Sequence, residues 1–189
     1  MAAESFKAAL AIAERLTNAE PGNVQWQRDL SVSHNRIGEV LAQEHDLPGA
    51  LQSFKTALAI RVRLSAADPS NAQWQRDVSV SHNKIGDILV QQGNLPAALE
   101  AFKVARIIAE RLAGSDPSNA VWASDLALSR GRVVSTEAQI GQLSDAAAAK
   151  RAGEERLRVA ALEEERRKEE KERPRLDAEQ RAVFIRRVQ

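Results

Sequence analysis

A chain of 189 residues is about one domain's worth, and 27 Lys+Arg against 26 Asp+Glu leave a formal charge of +1; no global field selects nucleic acid or an anionic membrane as the main partner. Cysteine is absent, which excludes disulfides, thiolate catalysis and every cysteine-ligated zinc site. Aromatics make up 4% of the residues while alanine occurs 33 times, so packing falls to small, helix-favouring side chains. No apolar run approaches the ~18 residues of a spanning helix, and MAAESFKAAL lacks the regions of a secretory signal. The expectation is a soluble, cytoplasmic protein without a membrane partner.

Residues 1–23 predict one helix, with Phe6, Ile12 and Leu16 along it; residues 6–23 match 54–71 at 11 of 18 positions. The expectation is a second helix of a truncated repeat, so that the chain opens inside a repeat. Two full units follow, 24–71 and 72–119. Residues 26–71 laid on 74–119 give 27 identities in 46 positions, and Trp26, Trp74 and Trp122 recur at a spacing of 48, as do Phe6, Phe54 and Phe102. Within a unit, Trp74, Val78, His82, Ile85 and Leu89 step by three and four, as do Ala98, Phe102, Ala105, Ile108 and Leu112, which predicts two helices. The turn QQGNLP (91–96) places Gly93 where a helix ends left-handed and Pro96 in the first turn of the next. The turn SDPSN (115–119) separates units.

One such pair buries only part of its apolar face, so neighbours stack, and the expected fold is all-α, a right-handed α-solenoid of antiparallel helix pairs. Residues 120–150 read as a degenerate capping repeat, because Glu137 and Lys150 replace Leu89 and Phe102. Residues 151–189 read as a charged helical tail with pairs such as Glu163–Arg167 and Glu164–Lys168. A coiled-coil seam is not supported, since Leu157, Ala161 and Leu162 have no apolar continuation. Pro174 is expected to break this helix, and Val183, Phe184, Ile185 and Val188 form a short amphipathic stretch after it.

The residues resemble the tetratricopeptide repeat family. The resemblance rests on His34, Ile37, Gly38, Leu41, Ala50, Phe54, Ala57 and Pro69, and again on His82, Ile85, Gly86, Leu89, Ala98, Phe102, Ala105 and Pro117. The unit is longer than the family's usual ~34 residues, similar to the long-helix repeats of kinesin light chains and of bacterial signalling arrays. The resemblance implies that one side of each first helix lines a concave groove binding an extended or helical segment of another protein. The implied groove residues are Asn35, Arg36, Glu39 and Gln43, then Asn83, Lys84, Asp87 and Gln91, then Arg132. An amide can grip a peptide backbone and an adjacent cation a carboxylate. The carboxylate clamp of chaperone-binding members looks absent, since Asn35 stands at its lysine position.

Nothing in the chain points to catalysis, a metal or a cofactor. His34 and His82 lie one repeat apart in a packing slot, and His45 falls in a solvated turn. Ser31, Ser33, Ser79 and Ser81 lack a nucleophile elbow, an oxyanion nest and an orienting acid. No phosphate-binding glycine loop occurs. The tryptophans read as repeated core anchors rather than a stacking platform for nucleic acid, because the basic excess of such a groove is missing. A protein-interaction scaffold is therefore the expected function. The alternatives are self-association as a homo-oligomer through residues 2–19, whose apolar stripe is unpaired, and a fragment of a larger signalling enzyme.

Overall fold

Polar residues write the turns. Asn23, Asn71 and Asn119 accept the N–H of Trp26, Trp74 and Trp122 through Oδ1, each at 3.2 Å, satisfying a donor that the first turn of a helix leaves open. Ahead of two of these caps, Asp68 and Asp116 accept the backbone N–H and hydroxyl of Ser70 and Ser118 and tighten the turn. Inside each repeat, His45 and Gly93 adopt φ of 62° and 75°. The N–H groups of Asp46 and Asn94 then return to the carbonyls of Leu41 and Leu89, both at 2.8 Å. Those of His45 and Gly93 reach Ala42 and Val90, a paired closure that a left-handed residue permits. Asp46 and Asn94 also cap the following helix, accepting from the N–H of Gly49 and Ala97.

The structure is a computed structural model that describes the backbone of residues 2–188, and the side chains of residues 5–6, 8–174, 178, 180 and 183. Among the described residues there are six helices and no strand: α1 (Ala2–Ala19), α2 (Val24–Gln43), α3 (Leu47–Ala67), α4 (Ala72–Gln91), α5 (Leu95–Ser115) and α6 (Ala120–Val188). Two units are distinguished, Met1–Ile140 and Gly141–Gln189. In the first, α1 packs on α2, α2 on α3, α3 on α4 and α4 on α5, an all-α solenoid in which each helix meets its sequence neighbour. Residues 120–140 of α6 join α4 through side chains described below.

The core of this unit is small and aromatic-poor, as the alanine count foretells. Ala50, Ala57, Ala98 and Ala105 are fully buried, and Phe54, Phe102, Leu64 and Leu112 nearly so. Glycine sets the spacing between helices of a pair. A Cβ on Gly38 would meet the Phe54 ring at 2.8 Å, and one on Gly86 would overlap the Phe102 ring; only a residue without Cβ lets the second helix approach this closely. The tryptophans correct the sequence expectation: Trp26, Trp74 and Trp122 are half-buried, not core. Each sits in the first turn of its helix, its backbone N–H held by the capping asparagine three residues before it.

Beyond residue 140 every described side chain is exposed. Two expectations change here. Where α4 ends in a turn, α6 continues, because the capping Asn94 and the Pro96 of that turn have become Gln142 and Ser144. Pro174 also lies inside α6 rather than at its end; an interior proline removes one backbone bond and kinks a helix without obliging it to stop. Around it the tail is laced by pairs such as Lys168–Glu164 at 2.7 Å. Of the amphipathic stretch, Val183 is exposed, while the side chains of Phe184, Ile185 and Val188 lie outside the described residues. No described helix is long and apolar enough to cross a membrane.

Candidate functional site

Successive first helices are joined by charge. Lys84 Nζ of α4 lies 3.2 Å from Glu39 of α2, and one repeat later Arg132 of α6 grips Asp87 of α4 with Nε at 2.8 Å and Nη2 at 2.7 Å. A second series runs the other way, Arg28 to Asp77 at 4.0 Å and Arg76 to Asp125 at 2.6 Å. Arg132 further stacks over Phe102, 5.7 Å from the ring centroid, which adds a cation–π contact to the bidentate pair. These partnerships cross repeat boundaries.

Between the charge pairs and the phenylalanines lie two clefts that are one cleft repeated. The first is lined by Glu39, Gln43, Phe54, Lys84, Asp87 and Gln91. The second carries their equivalents 48 residues on: Asp87, Gln91, Phe102, Arg132, Ser135 and Gln139. Ala42 and Ile88 supply apolar wall in the first and Val90 in the second. Gln43, Gln91 and Gln139 are exposed, so the lining presents a row of side-chain amides above a charge-paired, partly apolar floor.

Six of the nine residues implied by the family resemblance line these clefts: Glu39, Gln43, Lys84, Asp87, Gln91 and Arg132. The other three do not. Asn83 is buried between helices, its amide donating to Ser129 Oγ at 3.0 Å. Asn35 is half-buried and donates to Glu39 Oε1 at 3.1 Å, and Arg36 reaches the other Glu39 oxygen at 3.0 Å. Asn83 therefore braces α4 against α6, Asn35 bonds Glu39 within α2, and the exposed amides are glutamines. Gln139 was missed by sequence reasoning, though its 48-residue spacing from Gln91 was the available signal.

The electrostatics favour a neutralised lining. Burial pushes the Glu39 carboxyl up, but hydrogen bonds from Lys84 and Arg36 outweigh it and hold the group below its ordinary value. The cations expected to seize a ligand carboxylate are thus engaged, Lys84 and Arg132 with acids of the preceding repeat and Arg36 with Glu39 of its own helix. Burial lowers His34 against an opposing Glu14 charge, and lowers His82; both lean to the neutral form. The serines hold backbone rather than substrate: Ser31 and Ser81 donate to the carbonyls of Arg28 and Asp77, and Ser79 to Ala105. Sequence reasoning also missed Arg61, buried in α3, whose Nη1 donates to Ser81 Oγ at 2.7 Å and to the Asp77 carbonyl at 3.3 Å. Burial lowers its pKa, with the Asp77 charge opposing. Among the described residues no group of three His, Asp or Glu side chains converges as a metal site would require.

A family model described as tetratricopeptide repeat matches residues 81–119, from the middle of α4 to the turn after α5. No curated protein matches the chain.

Proposed function

We propose that this chain, whose residues 81–119 match a family model described as tetratricopeptide repeat, is a protein-interaction repeat module whose working surface is the repeated cleft and whose ligand is an extended segment of a partner protein. The observation that supports this is the exposed row Gln43, Gln91 and Gln139 beside Phe54 and Phe102. A side-chain amide donates and accepts at once, which suits the alternating N–H and C=O groups of a peptide backbone. Because Glu39–Lys84 and Asp87–Arg132 neutralise one another, the expected ligand is uncharged where it lies over them, with small apolar side chains toward Ala42 and Val90. On this reading Asn35 and Arg36 position Glu39 within α2, and Asn83 holds α4 against α6. No chemistry is assigned to the site.

A displayed random-peptide library selected on the intact chain tests the proposal. Peptides enriched by the parent should lose at least tenfold in affinity, about 1.4 kcal/mol, on a Gln43→Ala, Gln91→Ala, Gln139→Ala variant that melts at the parent temperature. Enriched peptides that bind the variant equally well would sink the cleft as the site.

A further inference from the structure

The cations of the Met1–Ile140 unit are used unevenly by its two kinds of helix. Arg28 and Arg76 hold aspartates of the next first helix, Lys84 and Arg132 carboxylates of the previous one, and Arg36 its own Glu39. Lys103 pairs with Glu100, Arg106 and Arg130 share Glu110, and Arg61 is buried on Ser81. Among the described side chains of this unit, that leaves Arg15, Lys55, Arg63 and Arg111 without a hydrogen bond or an ion pair. All of them are exposed, and all stand on second helices, α1, α3 and α5.

They also stand at repeated positions. Arg15, Arg63 and Arg111 are 48 residues apart, as are Lys55 and Lys103. In α3, Lys55, Ala59, Val62 and Arg63 fall at helical spacing on one outward face, and in α5 so do Lys103, Ile107 and Arg111. Aliphatic side chains lie between the cations, Val62 46% and Ile107 60% exposed. Between its caps α3 carries no Asp or Glu. Ala101 of α5 enters the core cluster of Phe54 of α3, so the two helices are neighbours, with axes about 8–10 Å apart. Along each, the lysine precedes the arginine by eight residues, about 12 Å. The result is a basic frame around Val62 and Ile107, lysines at one end and arginines at the other. The same register is exposed in both repeats, so the face belongs to the repeat itself.

We infer that this face docks an acidic amphipathic helix of a partner protein, lying along α3 and α5, with carboxylates about two turns apart and aliphatic side chains between them. The carboxylates meet the arginine and lysine ends of the frame, and the aliphatic residues cover Val62 and Ile107. A phosphodiester chain would answer the cations but offers nothing to the aliphatic side chains, and the face holds no aromatic ring on which a base could stack. Because the fold leaves these cations unpaired, an acidic partner displaces no internal salt bridge. At the peptide cleft the opposite holds, since Lys84 and Arg132 are already engaged. The inference is independent of that cleft, which lies on other residues.

The test is a fluorescently labelled, end-blocked, alanine-rich peptide with two glutamates eight residues apart and leucines between them, titrated by anisotropy into the intact chain. Saturable binding is expected, weakening as salt rises, with helix content increasing as the peptide is ordered on docking. Arg63→Glu with Arg111→Glu should weaken it at least tenfold, and a peptide with lysines in place of the glutamates should bind that variant and not the parent. Both changes are at exposed positions, so the variant's melting temperature checks that folding is kept. Absence of saturation would overturn the inference, as would equal affinity of the acidic peptide for both proteins. Loss of binding on the Gln43→Ala, Gln91→Ala, Gln139→Ala variant would assign the peptide to the cleft instead and also overturn it. A single-stranded oligonucleotide, or vesicles containing phosphatidylserine, that bind the parent more tightly than the peptide and are released by the same reversal would give the face to phosphate and overturn it too.

Discussion

Arg132 and Asp87 form a two-bond salt bridge across a repeat boundary, Nε and Nη2 each within 2.8 Å of a carboxylate oxygen. The pair is partly exposed, so solvent screens much of its Coulomb energy, yet the fork geometry and the Phe102 ring beneath Arg132 restrain both side chains. A double-mutant cycle of Asp87→Ala and Arg132→Ala, followed by urea unfolding, should return a coupling of about 1 kcal/mol. A coupling indistinguishable from zero would reduce the pair to a surface ornament.

Glycine contacts divide into two classes with opposite expected signs. Gly86→Ala drives a methyl into the Phe102 ring and should destabilise by about 1–3 kcal/mol through overpacking, with partial relief when Phe102→Leu is added. Gly131 lies mid-helix with open space around its would-be Cβ, so Gly131→Ala should stabilise by about 0.8 kcal/mol through helix propensity alone. Chemical denaturation of the two variants compares them directly.

His45 holds the left-handed position that Gly93 fills in the next repeat. A side chain with Cβ is strained there by about 1 kcal/mol. His45→Gly should therefore raise the melting temperature, whereas Gly93→His should lower it by a similar free energy. Equal melting of all three proteins would contradict the strain argument.

Acid should weaken the fold in two steps. His34 and His82 titrate below 6.5 when folded, held down by burial, so as pH falls through 6.5 the unfolded chain takes up protons first and stability declines. The Glu39 carboxyl is held below its ordinary 4.5 by Lys84 and Arg36 despite burial; its contribution is present above that pH and lost as pH drops further. Melting curves between pH 8 and 3 should show both declines. His34→Gln with His82→Gln should flatten the upper one and leave the lower.

Periodicity disclosed the helices α2 to α5 because spacing, cap and turn residues all agree there: Asn71, Gly93, Asn94 and Pro96 do in the structure what their chemistry suggests. It could not disclose which charge meets which. Arg36 and Glu39 pair within a helix, yet Lys84 and Asp87, at the same spacing one repeat on, turn to Glu39 and Arg132 instead. That choice depends on how successive first helices are rotated against each other, which one helix's pattern does not encode. For the same reason Asn83 read as a groove amide and is a buried brace, whereas Gln139 was passed over. The tryptophans misled through size: a large ring at helical spacing resembles a core anchor, but in the first turn beside the Asn cap it stays partly exposed.

The most direct test of the interaction surface is the side-chain amide NMR signals of Gln43, Gln91 and Gln139 during titration with a library-selected peptide. The cleft account predicts that these signals shift together and saturate with the bound fraction. Shifts confined to α1, or to the outward faces of α3 and α5, with the three glutamine amides unmoved, would contradict it.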